Sequence, residues 1–390
     1  MSSTLMSTYK RLPVTFVRGE GAWLWDNTGK RYLDALAGIA VCGLGHAHPD
    51  LTQALSEQIG TLIHTSNLYN IQLQENLGQE LVRLSKMDKV FFGNSGAEAN
   101  EAAIKIARLH GHSQGFKEPV IIVMEGSFHG RTIATLTATG NRKVQAGFEP
   151  LLKGFIRIPY GDIKALHHVA QSIKEIVAVL VEPIQGEGGI NIPPSGYLQE
   201  IKTICESHNW LLMLDEIQTG IGRTGHWFAY QHENIIPDVM TLAKSLGNGI
   251  PIGACIANGK AAELFGFGSH GSTFGGNPLA CRAALTVLNV IENNSLVKRS
   301  ATIGATLLHE FREQLKDYPK VAAVRGMGLM IGIELIKPCA ELVTQALENG
   351  LLINVTADRV VRLLPPLILE DAQADQLLNV LSDLIKRFLA

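Results

Sequence analysis

Three short runs of consecutive apolar residues constrain the fold of this chain more than any other feature. They occupy positions 120–124, 177–181 and 211–214. A strand that is apolar at every position is covered on both faces, which is typical of a parallel sheet between layers of helices. Asp215 directly follows the third run, so we expect its carboxylate at the carboxyl end of a buried strand. In open α/β sheets, ligands bind at that edge.

A carboxylate at that edge needs a proton or a cation as its partner. Lys244 lies among Leu242, Ala243 and Leu246, where removal from water would lower the pKa of its amine. An acid facing a pyridinium nitrogen and a lysine that forms a Schiff base are the two groups that pyridoxal phosphate needs from a protein. The two residues alone are equally compatible with an ordinary buried acid and a lysine whose amine reaches solvent.

Length and composition narrow the class of protein. With 390 residues the chain can bury a large core, in one large domain or two. Its formal net charge of −2 gives no reason to expect a nucleic acid or a membrane surface as partner. The five cysteines are scattered without a Cys-x-x-Cys pair, and the N-terminus lacks the apolar stretch of a signal peptide. We therefore expect a soluble cytoplasmic protein without structural zinc or disulfides.

Residues 89–101 predict a strand, a turn and the start of a helix. Ser95 and Glu98 have the spacing of a capping box, which explains the turn by helix capping alone. The backbone N–H groups of Ser95, Gly96 and Ala97, at the N-terminus of that helix, are also suited to bind a phosphate. The two interpretations are compatible with each other.

Two other patterns suggest different ligands. Residues 220–225 fit Gly-x-Gly-x-x-Gly, but no strong helical periodicity follows, and the position about 20 residues further on is Leu242 rather than an acid. We therefore do not predict a dinucleotide site. His46 and His48 are spaced like metal ligands, yet no cysteine or cluster of acids lies near them in the sequence, and Pro49 marks the start of a helix. No metal site is predicted.

The sequence resembles the class III pyridoxal-phosphate aminotransferases along nearly its whole length. Three segments carry the resemblance, in this order: Val-Glu-Pro-Ile-Gln-Gly-Glu-Gly-Gly at 181–189, Leu-Asp-Glu-Ile-Gln-Thr-Gly-Ile-Gly-Arg-Thr-Gly at 214–225, and Ala-Lys-Ser-Leu-Gly at 243–247. The resemblance implies an α/β fold of fold-type I, in which a large domain with a mostly parallel central sheet carries a smaller α/β lobe. We expect residues 1–50 to be the N-terminal segment of the small lobe, residues 51–279 the large cofactor-binding domain, and residues 280–390 the C-terminal small domain.

The same resemblance assigns roles to individual residues. Lys244 and Asp215 are the expected catalytic residues: the lysine holds the cofactor and moves the proton, and the acid keeps the ring nitrogen protonated. The expected cofactor-binding residues are Ser95, Gly96, Ala97, Phe128, Asp215, Gln218, Lys244 and Thr273. Of these, Thr273 is expected to reach the cofactor of a neighbouring subunit, which implies a homodimer with shared active sites. The expected substrate-binding residues are Arg131, Glu187, Arg362 and Ser272, with Glu187 as the resting partner of Arg362 and Glu182 as a brace of the site.

Within that family the similarity is greatest to enzymes that transfer the terminal amine of N2-acetylornithine to 2-oxoglutarate in arginine biosynthesis. Enzymes acting on free ornithine usually carry a tyrosine where this chain has Ile39, and Cys42 stands where relatives often have an asparagine. Ornithine, succinyl-diaminopimelate and 4-aminobutyrate remain open as donors. A 2,1-aminomutase would not need a pair such as Glu187 and Arg362 that serves two different substrates. A non-catalytic relative would be expected to lack the catalytic lysine or its acid.

Overall fold

The computed structural model describes residues 4–390. The N-terminal elements are β1 (Phe16–Glu20), β2 (Trp23–Asp26), β3 (Arg31–Asp34), α1 (Ala37–Ala40), α2 (Pro49–Ile59) and α3 (Gln72–Ser85). Strands β2 and β3 form a hairpin, because the Asp26 carboxylate accepts the N–H groups of Thr28 and Lys30 and closes the turn. The helix predicted to start at Pro49 is confirmed.

The short element α1 has an unusual backbone. Its residues have positive φ angles, including 67° at the β-branched Ile39, in a region that side chains of this shape seldom adopt. The Asp34 carboxylate accepts the N–H groups of Leu36 and Ala37, and the Ser245 hydroxyl donates to the carbonyl of Ala40. These bonds fix the segment next to Ser245, the immediate neighbour of the predicted catalytic lysine.

A seven-stranded sheet forms the centre of the protein. Its strands are β4 (Lys89–Gly93), β5 (Val120–Met124), β6 (Phe155–Ile158), β7 (Ile176–Val181), β8 (Leu211–Asp215), β9 (Val239–Leu242) and β10 (Gly253–Ala257). Their order is β4-β10-β9-β8-β7-β5-β6, and β10 runs antiparallel to both of its neighbours while the other pairs are parallel. Every residue of β7, β8 and β9 is buried. The predicted α/β fold with a mostly parallel sheet is confirmed.

Helices cover the faces of this sheet. They are α4 (Gly96–Ser113), α5 (Ile133–Ala138), α6 (Arg142–Gln145), α7 (Ile163–Ser172) and α8 (Tyr197–His208), with short 3₁₀ helices at Ala229–Glu233, Lys244–Leu246 and Gly259–Glu263. Helix α4 contacts the sheet through a buried row of small residues, Ala99, Ala102, Ala103 and Ala107. No helix opens at residues 220–225, as expected of a segment that is not a dinucleotide fingerprint.

The C-terminal elements are α9 (Pro278–Asn293), α10 (Leu296–Leu315), β11 (Val321–Met327), β12 (Met330–Leu335), α11 (Glu341–Glu348), β13 (Leu351–Leu352), β14 (Asn354–Thr356), β15 (Val360–Leu363) and α12 (Asp371–Leu389). Strands β11, β12, β15 and β14 form an antiparallel sheet, and β13 pairs in parallel with β3. Segments from both ends of the chain therefore share a sheet. The division at residues 50 and 280 stays a prediction; residue 280 lies inside α9. None of the helices within residues 4–390 combines the length and the apolar character that a bilayer crossing requires.

Arg223 joins the loop after β8 to the C-terminal part of the chain. Its side chain is fully buried and donates through Nη1 to the carbonyls of Leu329 and Pro365. The Arg223 carbonyl accepts bonds from the N–H of Leu329 and the hydroxyl of Ser300. Within residues 4–390, Nε and Nη2 have no partner and no carboxylate pairs with the guanidinium. Burial lowers the pKa of Arg223 to about 10.

We expect Arg223→Met to be tolerated far better than Arg223→Ala. Methionine fills a similar volume and removes a buried charge that no acid neutralises, which offsets the loss of two hydrogen bonds. Alanine also leaves a cavity, which typically costs about 2–5 kcal/mol. Equilibrium unfolding in urea measures the difference, with Arg108→Ala as a control at a less buried site. Equal destabilisation by Met and Ala would show that the charge itself is required.

Candidate active site

A cavity of about 410 Å³ lies at the carboxyl edge of the central sheet. Glu182, Asp215 and Ala243, which follow or end β7, β8 and β9, lie in its wall, as expected for ligand sites in open α/β sheets. Nine of the residues predicted from the sequence line this one cavity: Ser95, Gly96, Ala97, Phe128, Arg131, Glu187, Asp215, Gln218 and Lys244. Its size lies within the range usual for pockets that bind small molecules.

The carboxylate of Asp215 is buried and held by three donors. Its Oδ2 accepts hydrogen bonds from Nδ2 of Asn100 and Nδ1 of His129, both at 2.8 Å, and its Oδ1 accepts the N–H of Ile217 at 3.1 Å. Asn100 in turn accepts the hydroxyl of Thr241 at 2.7 Å. Because these donors come from α4, from the loop after β5 and from the loop after β8, the orientation of the carboxylate is set by the packing of the whole sheet.

Asn100 and His129 were not predicted as site residues from the sequence. Asn100 is a polar residue beside the small buried residues Ala99, Ala102 and Ala103 of α4, and that contrast was a usable signal. His129 is buried and stands between Phe128 and Gly130 after a buried strand. Neither residue type is diagnostic by itself, so only the contact with Asp215 reveals their part in the site.

The turn at Ser95 differs in one detail from a capping box. The Ser95 hydroxyl accepts the N–H of Glu98, as predicted, but the Glu98 carboxylate accepts the N–H of Asn94 at 2.7 Å rather than that of Ser95. In the described part of the chain, the N–H groups of Ser95, Gly96 and Ala97 are left without acceptors. At Gly96 a β-carbon would lie 2.7 Å from Cδ1 of Ile217, so a larger residue there would require the Ile217 side chain to shift.

Lys244 begins the 3₁₀ helix after β9 and extends into the cavity wall. Its φ of 42° is rare for a residue with a side chain, and such strain is found preferentially at functional sites. Burial lowers the pKa of its amine, while the nearby carboxylates of Glu187 and Asp215 act in the opposite direction. The net effect brings the amine closer to the range in which a lysine loses its proton.

Glu182 is a second buried acid in this cavity. Its Oε1 accepts the N–H of Phe128 at 3.2 Å, and its Oε2 has no partner within residues 4–390. Burial, followed by the negative charge of Asp215, raises the pKa of Glu182 well above its usual range. Glu182, Asp215 and His129 lie close enough together to resemble a set of metal ligands. The hydrogen bond between the His129 ring and Asp215 already accounts for part of that arrangement.

Arg362 and Glu187 form an ion pair at the edge of the cavity. Arg362 Nη1 lies 2.6 Å from Glu187 Oε1 and 3.4 Å from Oε1 of Gln218, and Arg362 Nε donates to Asn354 at 3.1 Å. Arg362 is fully buried, whereas the side chain of Glu187 is 35% exposed. Burial raises the pKa of Glu187, but the Arg362 charge outweighs that effect and the net pKa is lowered. The structure therefore brings together the two residues that the sequence predicted as partners.

Arg131 lies in the cavity wall, whereas Ser272 and Thr273 lie elsewhere. Arg131 is exposed, lies with its guanidinium carbon 5.7 Å from the ring centre of Phe128, and has no acid partner in the described chain. Ser272 and Thr273 lie outside the cavity, in a surface cleft with Asn67 and Phe91. The Ser272 hydroxyl accepts hydrogen bonds from Asn94 and Gly275, both at 3.0 Å.

The arrangement fits a small aldehyde cofactor that carries a phosphate and a nitrogen-containing ring. Unpaired N–H groups at the N-terminus of α4 suit the phosphate. Asp215 suits a protonated ring nitrogen, and Lys244 suits the aldehyde. Glu182, whose Oε2 has no partner within residues 4–390, lines the same cavity. A β-carbon at residue 186 would lie 2.3 Å from Oε1 of Gln218, so Gly186 is needed to leave that amide in place.

Comparisons with known proteins agree with this site. Residues 5–385 match the profile of the family described as aminotransferase class-III. Over 387 residues the chain is 62% identical to the acetylornithine aminotransferase of Nitrosomonas europaea, which covers 99% of this chain and 98% of that protein.

Solved structures show the same similarity. The ornithine aminotransferase of Toxoplasma gondii superposes with a TM-score of 0.95 at 34% identity, covering 99% of this chain and 93% of that one. The N-acetylornithine aminotransferase of Stenotrophomonas maltophilia superposes with a TM-score of 0.85 at 38% identity, covering 98% of both chains. With a cavity that gathers Lys244, Asp215 and a free helix N-terminus, the chain belongs to the class III aminotransferases, enzymes that depend on pyridoxal phosphate.

Proposed function

We propose that this enzyme transfers the terminal amine of N2-acetylornithine to 2-oxoglutarate, giving N-acetylglutamate 5-semialdehyde and glutamate in arginine biosynthesis. The names of the bacterial relatives support this reaction. The observation that carries the proposal is the ion pair between Arg362 and Glu187 beside Lys244. That pair explains how one cavity serves two different substrates.

The two substrates differ in charge next to the reacting carbon. In 2-oxoglutarate a carboxylate is attached to that carbon, and Arg362 is the buried cation that would bind it in a bidentate manner. In acetylornithine the carbon that carries the terminal amine has no carboxylate, so a neutral Arg362–Glu187 pair suits it. Glu187 is partly exposed and can leave the pair, whereas Arg362 is held by Asn354. The distal carboxylate of either substrate would meet Arg131.

When bound, pyridoxal phosphate supplies an aldehyde that takes up the amino group and a ring that withdraws electrons from the carbon that loses its proton. Lys244 would hold the cofactor and then carry the proton, because its amine has a lowered pKa and no hydrogen-bond partner within the described residues. Asp215 would hold a proton on the ring nitrogen, fixed in place by Asn100 and His129.

The other contacts proposed for the cofactor rest on the family resemblance, and all of the residues concerned line the Lys244 cavity. Ser95, Gly96 and Ala97 would donate their N–H groups to the phosphate. Phe128 would stack on the ring, and Gln218 would bind the ring hydroxyl.

The choice of donor is tested by a half-reaction. Purified enzyme loaded with cofactor is mixed, without 2-oxoglutarate, with N-acetylornithine, ornithine, succinyl-diaminopimelate or 4-aminobutyrate. The absorption change of the bound cofactor from its aldehyde to its amine form is then followed. We expect the fastest conversion with N-acetylornithine. Faster conversion with ornithine would favour ornithine aminotransferase activity instead, the activity in the name of the Toxoplasma gondii protein.

Asp215 and Glu182 are both buried carboxyl groups, but we expect losses of very different size when each is replaced by its amide. Asp215→Asn removes the charge that holds a proton on the ring, so the half-reaction should slow by roughly 10²–10⁴-fold. Burial and the charge of Asp215 raise the pKa of Glu182 and so favour its neutral form, which an amide resembles; Glu182→Gln should therefore cost less than about tenfold. Stopped-flow spectra of both variants measure this. A large loss in Glu182→Gln would show that this acid works in its charged form.

We also propose a homodimer in which Thr273 reaches the cofactor of the partner subunit. Support comes from apolar side chains exposed around the cleft that contains Thr273: Leu68 is 87% exposed and Phe274 is 60% exposed. Asn67 donates to the carbonyls of Ser272 and Gly275, both at 3.0 Å, so the two loops form one surface. Exposed apolar surface of this kind marks interaction sites.

Phe274→Glu should weaken this association, because burying a charge in an apolar interface is costly. We expect light scattering to show a shift towards the monomer at low micromolar concentration, with activity falling in parallel. Ile336→Glu, a change at an exposed apolar residue outside this surface, is the control and should leave both unchanged. A monomeric wild type with full activity would contradict the dimer.

We propose a cytoplasmic location as well. All five cysteines are free thiols, and four of them are buried, as suits a protein that works in a reducing compartment.

A further inference from the structure

A second cavity, of about 760 Å³, adjoins the Lys244 cavity on the side of Arg131. We call it the outer cavity. Phe128, Arg131 and Glu187 line both cavities, so the two share a wall. The outer cavity is bounded on one side by residues 140–144 and on the other by residues of the C-terminal part between 338 and 358. A substrate held between Lys244 and Arg131 would extend from Arg131 into this space.

The charged groups of the outer cavity do not balance. Glu187 is paired with Arg362 at 2.6 Å, and Asp358 is paired with Lys143 at 3.1 Å. The cations that remain are Arg131 and Arg142, and the described part of the chain offers neither of them an acid. When a substrate carboxylate binds Arg131, the guanidinium of Arg142 still has no anionic partner in the described part of the chain.

Arg142 is the first residue of a firmly anchored turn. The side chain of Asn141 caps α6 by accepting the N–H of Lys143 at 3.0 Å. The buried Gln145 side chain donates to the carbonyls of Leu136 at 3.0 Å and Thr139 at 2.7 Å. The backbone beneath Arg142 is therefore held in place beside the cavity.

The field around Arg142 is positive rather than neutral. The half-buried Arg157 guanidinium donates to the carbonyls of Thr137 and Thr139 and has no acid partner within residues 4–390. Burial lowers the pKa of Arg157, and the nearby charge of Arg142 lowers it further. An anion that entered the outer cavity would relieve this repulsion.

We propose that Arg142 forms a subsite for a second carboxylate, so that donors whose N-acyl group ends in a carboxylate are used better than neutral N-acyl donors of similar length. The proposal rests on the proposed function, because it requires an N-acylated donor with its own carboxylate at Arg131. In such a donor the N-acyl group and the carboxylate that binds Arg131 are attached to the same carbon. The acyl chain therefore extends from Arg131 into the outer cavity. A guanidinium that has no acid partner suits the terminal carboxylate.

The test compares three donors that separate charge from length: N-acetylornithine, N-butyrylornithine and N-succinylornithine. Half-reaction rates are measured with the cofactor-loaded wild type, Arg142→Ala and Arg142→Lys at low salt. We expect the wild type to use the succinyl donor better than the butyryl donor. Arg142→Ala should lower that ratio roughly three- to fivefold, in keeping with an ion pair open to solvent. In the wild type, about 1 M salt should lower it similarly.

Arg108→Ala is the matched control, since it removes the same charge from a different surface cleft and should leave the ratio unchanged. Arg142→Lys should keep part of the preference, because it retains the charge but not the fork of donors. The proposal is overturned if the wild type does not prefer the succinyl donor, if Arg142→Ala slows both longer donors equally, or if Arg108→Ala has the same effect as Arg142→Ala. No turnover with any of the three donors would contradict the proposed function itself, and this proposal with it.

Discussion

The buried carboxylate of Asp215 is the constraint on which the site depends. A charge at that depth is tolerated only where hydrogen-bond donors surround it, and here they come from Asn100, His129 and the N–H of Ile217. Asn100 also accepts the hydroxyl of Thr241 in β9, the strand that leads to Lys244. One network therefore fixes the acid and the strand that carries the lysine, and the small face of α4 allows the helix to approach closely enough to join it.

Two buried arginines show how the C-terminal part of the chain is held against this network. Arg362 meets an acid, Glu187, that is exposed enough to move, so its charge is available to a ligand. Within residues 4–390, Arg223 donates only to carbonyls, and it does not line the Lys244 cavity. The same residue type thus serves as a potential binding group in one place and as a link between segments in the other. What distinguishes the two is whether a carboxylate and a cavity lie beside the guanidinium.

Much of the fold was readable from the sequence, because buried parallel strands leave an unbroken apolar signal. The runs that became β5, β7 and β8 and the helix at Pro49 all formed as predicted. Nine predicted site residues line one cavity. The contacts that orient them were not readable. Glu98 bonds Asn94 instead of Ser95, and His129 and Asn100 hold Asp215, because such bonds depend on side-chain directions that spacing along the chain does not encode.

The sequence by itself determined the buried parallel strands, and it predicted a ligand site at their carboxyl edge with Asp215 and Lys244 as the acid and the lysine. Periodicity and apolar context indicate the strands and the edge, because they act over a few neighbouring residues, whereas the roles of the two residues follow from the resemblance to class III aminotransferases. Only the tertiary structure decided that Arg362 pairs with Glu187, that Ser272 and Thr273 lie outside their own chain's cavity, and that no acid among residues 4–390 pairs with Arg142. These relations join residues far apart in the chain, and their distances follow from the packing of helices and strands as a whole.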